Sequence, residues 1–359
     1  PNPHYFVINY FNFELFFIKN RNNLSYFLKM FENIKSIFLL KNIFTKYLNK
    51  KTFLALIYHN KSLQKKLNIS IIDYKKYYNQ IEVEIKLIPQ EKYKEEKNIF
   101  LNRLDNKKNY YHIYFNNINT EIKRRYVTID DKVSKIKIII DEEIDSLKEL
   151  FFCCDCIKEI NFLKFNRKNI TNMISMFEEC SSLEKININI FKTDNVNNIK
   201  SMFRGCCLLK ELDLSIFNTS KVENMQSLFY ECSHLETLNI SNFDTSNTKN
   251  LSYMFFGCKS LKNLNIDNFN TNKTRDMTAM FYECSSLNNL NIKFNVEYET
   301  NLSFMFYGCS SLINLDISNF KINENANTES MFAKCSEELK QYLKSKYKYL
   351  KDDAFRVYL

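Results

Sequence analysis

One feature constrains this chain more than any other: a unit that recurs with a nearly fixed period. Cysteines stand at Cys154, Cys180, Cys206, Cys232, Cys258, Cys284, Cys309 and Cys335. Six of the seven steps are 26 residues, and the step from Cys284 to Cys309 is 25. Phenylalanines keep the same beat at Phe151, Phe177, Phe203, Phe229, Phe255, Phe281, Phe306 and Phe332. A fixed period of roughly 20–50 residues means stacked repeats. A single unit has too few apolar side chains to offset the entropy of ordering its own backbone, so neighbours must bury each other's faces.

Periodicity divides each unit into two halves. Met225, Leu228, Phe229 and Cys232 follow i, i+3, i+4, i+7, the apolar stripe of a short helix. Asn224 precedes the stripe, and its counterparts are Asn172, Asn198, Asn250, Asp276, Asn301 and Asn327. Asn and Asp favour helix N-caps because their side-chain oxygen accepts an unpaired backbone N–H, so these positions predict helix starts. Leu235, Leu238 and Ile240 then switch to a period of two, which predicts a short strand. Phe243 follows, in register with Phe165, Phe191, Phe217, Phe269, Phe294 and Phe320, and is expected to stack along the core.

The expected fold is an α/β solenoid. It is a leucine-rich-repeat-like, right-handed array of about eight 26-residue strand–helix units with a parallel sheet. A small helical and β-rich N-terminal region precedes it. The expected divisions are residues 1–29, a stretch outside the authentic protein with Met30 as candidate start; 30–78, a basic helical subdomain; 79–149, a β-rich cap; 150–335, the repeats; and 336–359, a capping helix. Strands are expected at Ile81–Ile85, Tyr110–Phe115 and Lys135–Ile140 from their alternation. Their expected role is to cover the first strand of the array, because open edges invite aggregation.

The string Met-Phe-x-x-Cys-Ser-Ser-Leu-x-x-Leu-Asn/Asp-Ile-Ser-Asn-Phe-x-Thr, matched best by Met254–Thr271 and Met305–Phe320, resembles the BspA-type leucine-rich repeats of surface proteins and lipoproteins. The resemblance covers about Leu150 to Cys335 and implies adhesion or other protein binding without catalysis. A second stretch, Leu39–Phe44 with Leu48, Phe53–Ile57 and Lys61–Leu63, resembles an F-box, which would place residues 37–67 against an acidic adaptor of a ubiquitin ligase. It lacks the opening Leu-Pro-x-Glu and the late Trp, and an ordinary helical subdomain is the alternative.

Charge is unevenly placed. Residues 1–150 carry 27 Lys+Arg against 17 Asp+Glu, while residues 151–359 carry 24 of each. The basic half admits nucleic acid, an anionic membrane, an acidic protein partner or simply a solvated Lys-rich face. Eight of the eleven cysteines occupy one repeat position, and the others are Cys153, Cys156 and Cys207. A buried free cysteine behaves as a small hydrophobe, and no Cys-x-x-Cys pairing with His partners suggests zinc. No apolar run is long enough for a membrane span.

Chemistry is not apparent. The histidines, His4, His59, His112 and His234, have no nucleophile at diagnostic spacing, and no enzyme or cofactor is expected. Gly205, Gly257 and Gly308 share one repeat position, where Glu179, Glu231, Glu283 and Lys334 stand in other units, so a positive φ is not expected there. The candidate binding surface is the outward row of the strands: Lys185, Asn187, Glu211, Asp213, Thr237, Asn239, Asn263, Asn265, Asn289, Asn291, Asn314 and Asp316. This row lacks the basic track and stacking groups that nucleic acid needs, so a protein or peptide is the expected partner. The missing export signal and the unpaired cysteines favour the cytoplasm, whereas the repeat resemblance favours the cell surface.

Overall fold

The computed structural model describes residues 58, 60–68, 79–102, 111–141, 143–296, 300–320, 322 and 326–357. The chain divides into two units, Pro1–Asn79 and Gln80–Leu359. In the first, helix α1 (Lys61–Leu67) starts at Asn60, whose Oδ1 accepts the Leu63 N–H at 2.9 Å, and it buries Leu63 and Leu67. The rest of the F-box-like stretch and residues 1–29 lie outside the described residues.

The second unit begins with a sheet. Strands β1 (Ile81–Leu87), β3 (Tyr111–Phe115), β5 (Lys135–Ile140) and β6 (Ile157–Phe165) join β7 (Lys185–Asn187) in the order β3-β5-β1-β6-β7. Two short strands, β2 (Asn98–Ile99) and β4 (Tyr126–Val127), pair beside it. Alternation in Ile81, Val83, Ile85 and Leu87 buries one face of β1. Pairing is antiparallel from β3 to β6 and turns parallel at β6–β7, where the repeats begin. The β-rich segment therefore occupies the edge that the first repeat strand would otherwise leave open.

Along the repeats, parallel strands pair in twos. β8 (Glu211–Asp213) pairs with β9 (Thr237–Asn239), and β10 (Asn263–Leu264) pairs with β11 (Asn289–Leu290). The expected continuous parallel sheet is thus divided into separate short ladders. Each bonded pair is entered by a hydrogen bond from the residue just before its second strand. The N–H groups of Glu184, Glu236 and Asn288 donate to the carbonyls of Lys158, Lys210 and Lys262 at 2.9, 2.9 and 3.3 Å.

The other half of each unit is not a helix. Among the described residues, the α-helices are α1 and α2 (Glu337–Lys346), both outside the repeats. The N–H groups of Met225, Ser227, Phe229 and Glu231 donate forward to the carbonyls of Asn250, Ser252, Met254 and Phe256 in the next unit, at 2.7–3.1 Å. Those of Leu228, Tyr230 and Cys232 close i→i+3 turns on Met225, Ser227 and Phe229. Every second donor thus bonds between units and every other one within the unit. The apolar stripe still faces inward, with Met225, Leu228, Phe229 and Cys232 all fully buried. Spacing excludes the helix. The Phe rings stack 5.4–5.9 Å apart from Phe177 to Phe332, whereas an α-helix with its side chains is about 10–12 Å across.

This turn ribbon corrects two expectations. The Asn and Asp residues read as helix caps do accept backbone N–H groups, but from two residues on: Asn224 Oδ1 from Gln226, Asn250 Oδ1 from Ser252 and Asp276 Oδ1 from Thr278. They also bridge one another in parallel from Asn172 to Asn301. The glycine position does demand a positive φ. Gly205, Gly257 and Gly308 lie at 71–72°, and Glu179, Glu231, Glu283 and Lys334 lie at 53–58°. The intermediate turn needs this left-handed residue so that its N–H can point at the next unit. A second left-handed position recurs at Ser175, Ser201, Ser227, Tyr253, Ala279, Phe304 and Ser330.

Glutamate and glycine alternate at the first of these positions because they share space. A β-carbon on Gly257 would meet the Glu231 carboxylate carbon at 2.8 Å, and one on Gly205 would meet that of Glu179 at 2.7 Å. Gly257→Ala is therefore expected to cost about 1–2 kcal/mol from its left-handed backbone, plus the displacement of Glu231. Urea unfolding of Gly257→Ala with and without Glu231→Ala measures the two parts. Equal losses in both backgrounds would show that the carboxylate gives way freely.

At the far end the chain closes its own array. Ser330 and Phe332 donate to the carbonyls of Asp353 and Ala354 at 3.0 and 2.7 Å, so residues 353–354 act as the next unit's backbone. Phe355 stacks on Phe332 at 5.7 Å, ending the ring ladder. Helix α2, capped by Ser336, buries Leu339 and Leu343.

Candidate interaction surface

Eleven of the twelve expected side chains stand in the open and Asn239 is half-buried; Asn265 and Asn291 lie just past the ends of β10 and β11, and Asn314 and Asp316 lie outside any strand. They fall on one face because Ile188, Leu212, Leu214, Ile240, Leu264, Ile266, Leu290, Ile292, Leu315 and Ile317 alternate with them and point into the core. The row is not uniformly available. Asn187, Asp213, Asn239, Asn265 and Asp316 each accept the N–H of the residue two positions on, which turns the chain out of the strand. These five therefore shape the face, and their amide or second oxygen is what they can offer a ligand. Asn187 Nδ2 already donates to Asn161 Oδ1 at 2.9 Å, and Asn291 Nδ2 donates to Asp267 Oδ1 at 2.7 Å.

A cavity of about 380 Å³ opens along the β10 and β11 segments and reaches Leu238 of β9. Leu238, Leu264 and Ile266 supply its apolar lining; Asn263, Asn265, Asn289, Asn291 and Asp267 supply the polar one. At the end of the row the Asp316 carboxylate accepts the Tyr347 hydroxyl at 2.6 Å. That bond, with the Ser318 N–H, holds its pKa down to about 2. Asp213 is likewise held below the ordinary carboxylate range by the Ser215 N–H. Both stay ionised through the neutral range.

A second surface carries a row that was not among the expected residues. Tyr230, Phe256, Tyr282 and Tyr307 stand one residue after the core phenylalanines and stack at 4.4–4.5 Å within 6° of parallel. The Arg204 guanidinium lies 4.7 Å over Tyr230 and the Lys334 ammonium 5.1 Å over Tyr307, one at each end. Burial raises the Tyr282 hydroxyl to about 12. The signal was present in the sequence: these aromatics keep the repeat's own spacing.

The two described histidines are engaged locally. His112 lies 3.2 Å from both Glu121 and Asp141, and His234 Nδ1 lies 2.7 Å from the Cys207 carbonyl. Among the described residues, no three His, Cys, Asp or Glu side chains group to hold a metal, and no helix is long and apolar enough to cross a membrane.

The repeats themselves identify the family. Residues 145–238 and 231–346 match the model for "Mycoplasma protein of unknown function, DUF285". The chain belongs to that family. The DUF285 matches begin beside Ser146, the first rung of the inter-unit bridges, and end with helix α2. Among solved structures, a leucine-rich repeat protein from Bacteroides ovatus is similar at 21% identity, covering 57% of this chain and 70% of that one, with a TM-score of 0.20. Comparison with curated proteins returns no match.

Proposed function

We propose that this DUF285 chain is a non-enzymatic protein-interaction module, a continuous solenoid of BspA-like repeats that receives a protein or peptide on its strand face. One observation carries the reading: polar side chains from six successive units share one exposed face, and its cavity falls at Asn263, Asn265, Asn289 and Asn291. Amide side chains both donate and accept, which suits a polypeptide backbone. An apolar lining with a few convergent polar groups is the usual make-up of a ligand site.

Photo-crosslinking tests it. A benzoylphenylalanine placed at Asn265, in the full chain expressed in its own cells, is expected to give discrete protein adducts. The same group at exposed Lys221, off this face, is expected to give none of them. Identical adducts from both positions, or none from Asn265, would overturn the reading. A C-terminal tag probed with protease on intact cells separates the two settings. Exposure favours a surface adhesin, and protection favours an intracellular adaptor with an acidic partner for the basic N-terminal helices.

A further inference from the structure

Successive units turn the chain out of the strand in the same way. Phe191, Phe217, Phe243 and Phe269 each donate their N–H to the carbonyl three residues back, at 2.9–3.0 Å. In the two later turns the central residues are ordinary turn formers, Ser241-Asn242 and Asp267-Asn268. The Asn also ties its unit to the one before: Asn242 Nδ2 donates to the Ser215 carbonyl, and Asn268 Nδ2 to the Ser241 carbonyl. The two earlier turns break this pattern, with Ile190 and Ile216 where the Asn would stand.

Isoleucine here is unfavourable to the fold in two ways. It lacks the side chain that turns prefer, and it gives up the bond to the preceding unit. It also stands in water: Ile190 is 39% exposed and Ile216 44%. The two lie side by side, because the rings that follow them, Phe191 and Phe217, stack at 6.0 Å and 16°. Leu163, 48% exposed, continues the patch into the first unit. It sits between Phe162 and Phe165, whose rings pack on Phe191 at 4.6 and 4.3 Å. The patch borders the strand face, since Asn187 and Asp213 accept the N–H groups of Asn189 and Ser215 in these same turns. Residues that break a local rule with no gain to the fold mark functional positions, and clustered exposed apolar side chains mark a contact.

Size and charge select the occupant. Three partly exposed side chains fall well short of the roughly 800 Å² per partner that a stable dimer buries. Lys192, exposed two residues past Ile190, has no ion pair among the described residues. We propose that Leu163, Ile190 and Ile216 form the apolar anchor point of the strand face. They seat one aliphatic or aromatic side chain of a polypeptide whose neighbouring acidic residue meets Lys192. This rests on the reading of that face as a polypeptide site, and it fixes where along the face the partner's apolar residue sits. The cavity at Asn263 and Asn289 lies three to four strands farther on. At strand spacing that is roughly 15–20 Å, which an extended segment of about five or six residues spans.

The test is methyl NMR of the full chain, isotope-labelled at its isoleucine δ1 methyls, with the peptide Asp-Phe-Asp-(Ser-Gln)3 as probe. Loss of a signal in Ile190→Asn, Ile216→Asn or Ile266→Val assigns it. Saturable shifts at Ile190 and Ile216 are expected. Asn in place of the probe's Phe is expected to weaken binding about tenfold or more, and Lys in place of both Asp about threefold at low salt. Ile190→Asn combined with Ile216→Asn is expected to weaken the probe about tenfold or more. It should leave the urea midpoint unchanged or raised, because Asn is what the same turn carries in the next two units. A lowered midpoint would make these isoleucines part of the core and overturn the proposal. Shifts at Ile266, in the cavity, without shifts at Ile190 and Ile216 would overturn it too, while leaving the strand-face reading standing. No shift at any of the three also overturns it, and the crosslinks at Asn265 then decide the strand-face reading by themselves. Shifts at Ile190 and Ile216 that follow protein concentration without probe would assign the patch to a second copy, against the proposal.

Discussion

Replacing Phe229 by alanine is expected to destabilise the array by about 3–5 kcal/mol, the upper range for a buried aromatic. The ring is fully buried and stacks on Phe203 at 5.9 Å and on Phe255 at 5.5 Å, both within 17° of parallel. Two things are lost together: the transfer of the ring out of water, and two stacking contacts worth about 0.5–1.5 kcal/mol each. Phe243 separates them. It is equally buried, but no aromatic ring contact joins it to Phe217 or Phe269 among the described residues. Phe243→Ala should therefore cost about 1–3 kcal/mol less than Phe229→Ala. Urea unfolding of both variants gives the difference, and equal losses would remove stacking as a contributor. Because each unit touches only its neighbours, the Phe229 variant should also unfold in two steps rather than one, as the units on either side come apart.

How much of this was legible beforehand can be argued from single positions. Cys232 and Phe229 were readable as core because a repeat reports burial directly: a position that must be apolar in one unit must be apolar in all. The element that carries them was misread, because i, i+3, i+4, i+7 describes which side chains face inward and not how the backbone bonds. A ribbon of overlapping turns gives the same stripe as a helix. What decides between them is the distance between neighbouring units, and that distance is absent from any one unit's pattern. Glu231 shows a second limit. A glutamate at 56° breaks the usual preference for glycine, so residue type pointed away from the true backbone. The inter-unit hydrogen bond from its N–H, at 2.7 Å, compensates for the strain and belongs to the stack rather than to the residue.

The interaction surfaces divide in the same way. Asn263 and Asn265 were predicted to point outward from a period of two, and they do. That Asn187, Asp213 and Asn239 spend their side-chain oxygens on the chain's own turns could not be read, since a turn-forming Asn and a ligand-binding Asn are the same letter. The aromatic row was missed for a different reason. Tyr230, Phe256, Tyr282 and Tyr307 mix two residue types and share their column with Glu178 and Arg204, so the column reads as variable until the rings are seen to stack.

The cysteine column predicts the steepest response of all, to alkali. Nine thiols are buried: Cys154, Cys156, Cys180, Cys206, Cys232, Cys258, Cys284, Cys309 and Cys335. Each donates its S–H to a backbone carbonyl, seven of them to the phenylalanine of the preceding unit, as Cys232 does to Phe203 at 3.1 Å. A thiolate cannot donate, and it would sit in an apolar stack without water. Burial accordingly pushes every one of these thiols up, Cys156, Cys284 and Cys335 to about 12 and the others well above the usual thiol range. In the unfolded chain they ionise near pH 8.5. Below that pH both states keep the proton and stability is intact. Above it only the unfolded chain releases protons, so stability falls by about 1.4 kcal/mol per thiol per pH unit, and goes on falling until the folded-state values are reached. Nine thiols make that about 12 kcal/mol per unit, against a total of about 5–15 kcal/mol for an ordinary domain. The array is expected to unfold between about pH 9 and 10. Urea midpoints at pH 7, 8, 8.5 and 9 measure the slope while the protein is still folded. The triple variant Cys206→Ala, Cys232→Ala, Cys258→Ala is weaker at pH 7 because of its cavities, yet its slope should be about one third shallower, since three of nine titrating groups are gone. A midpoint that stays constant to pH 10, or a slope unchanged in the triple variant, would mean that the buried column is not what alkali attacks.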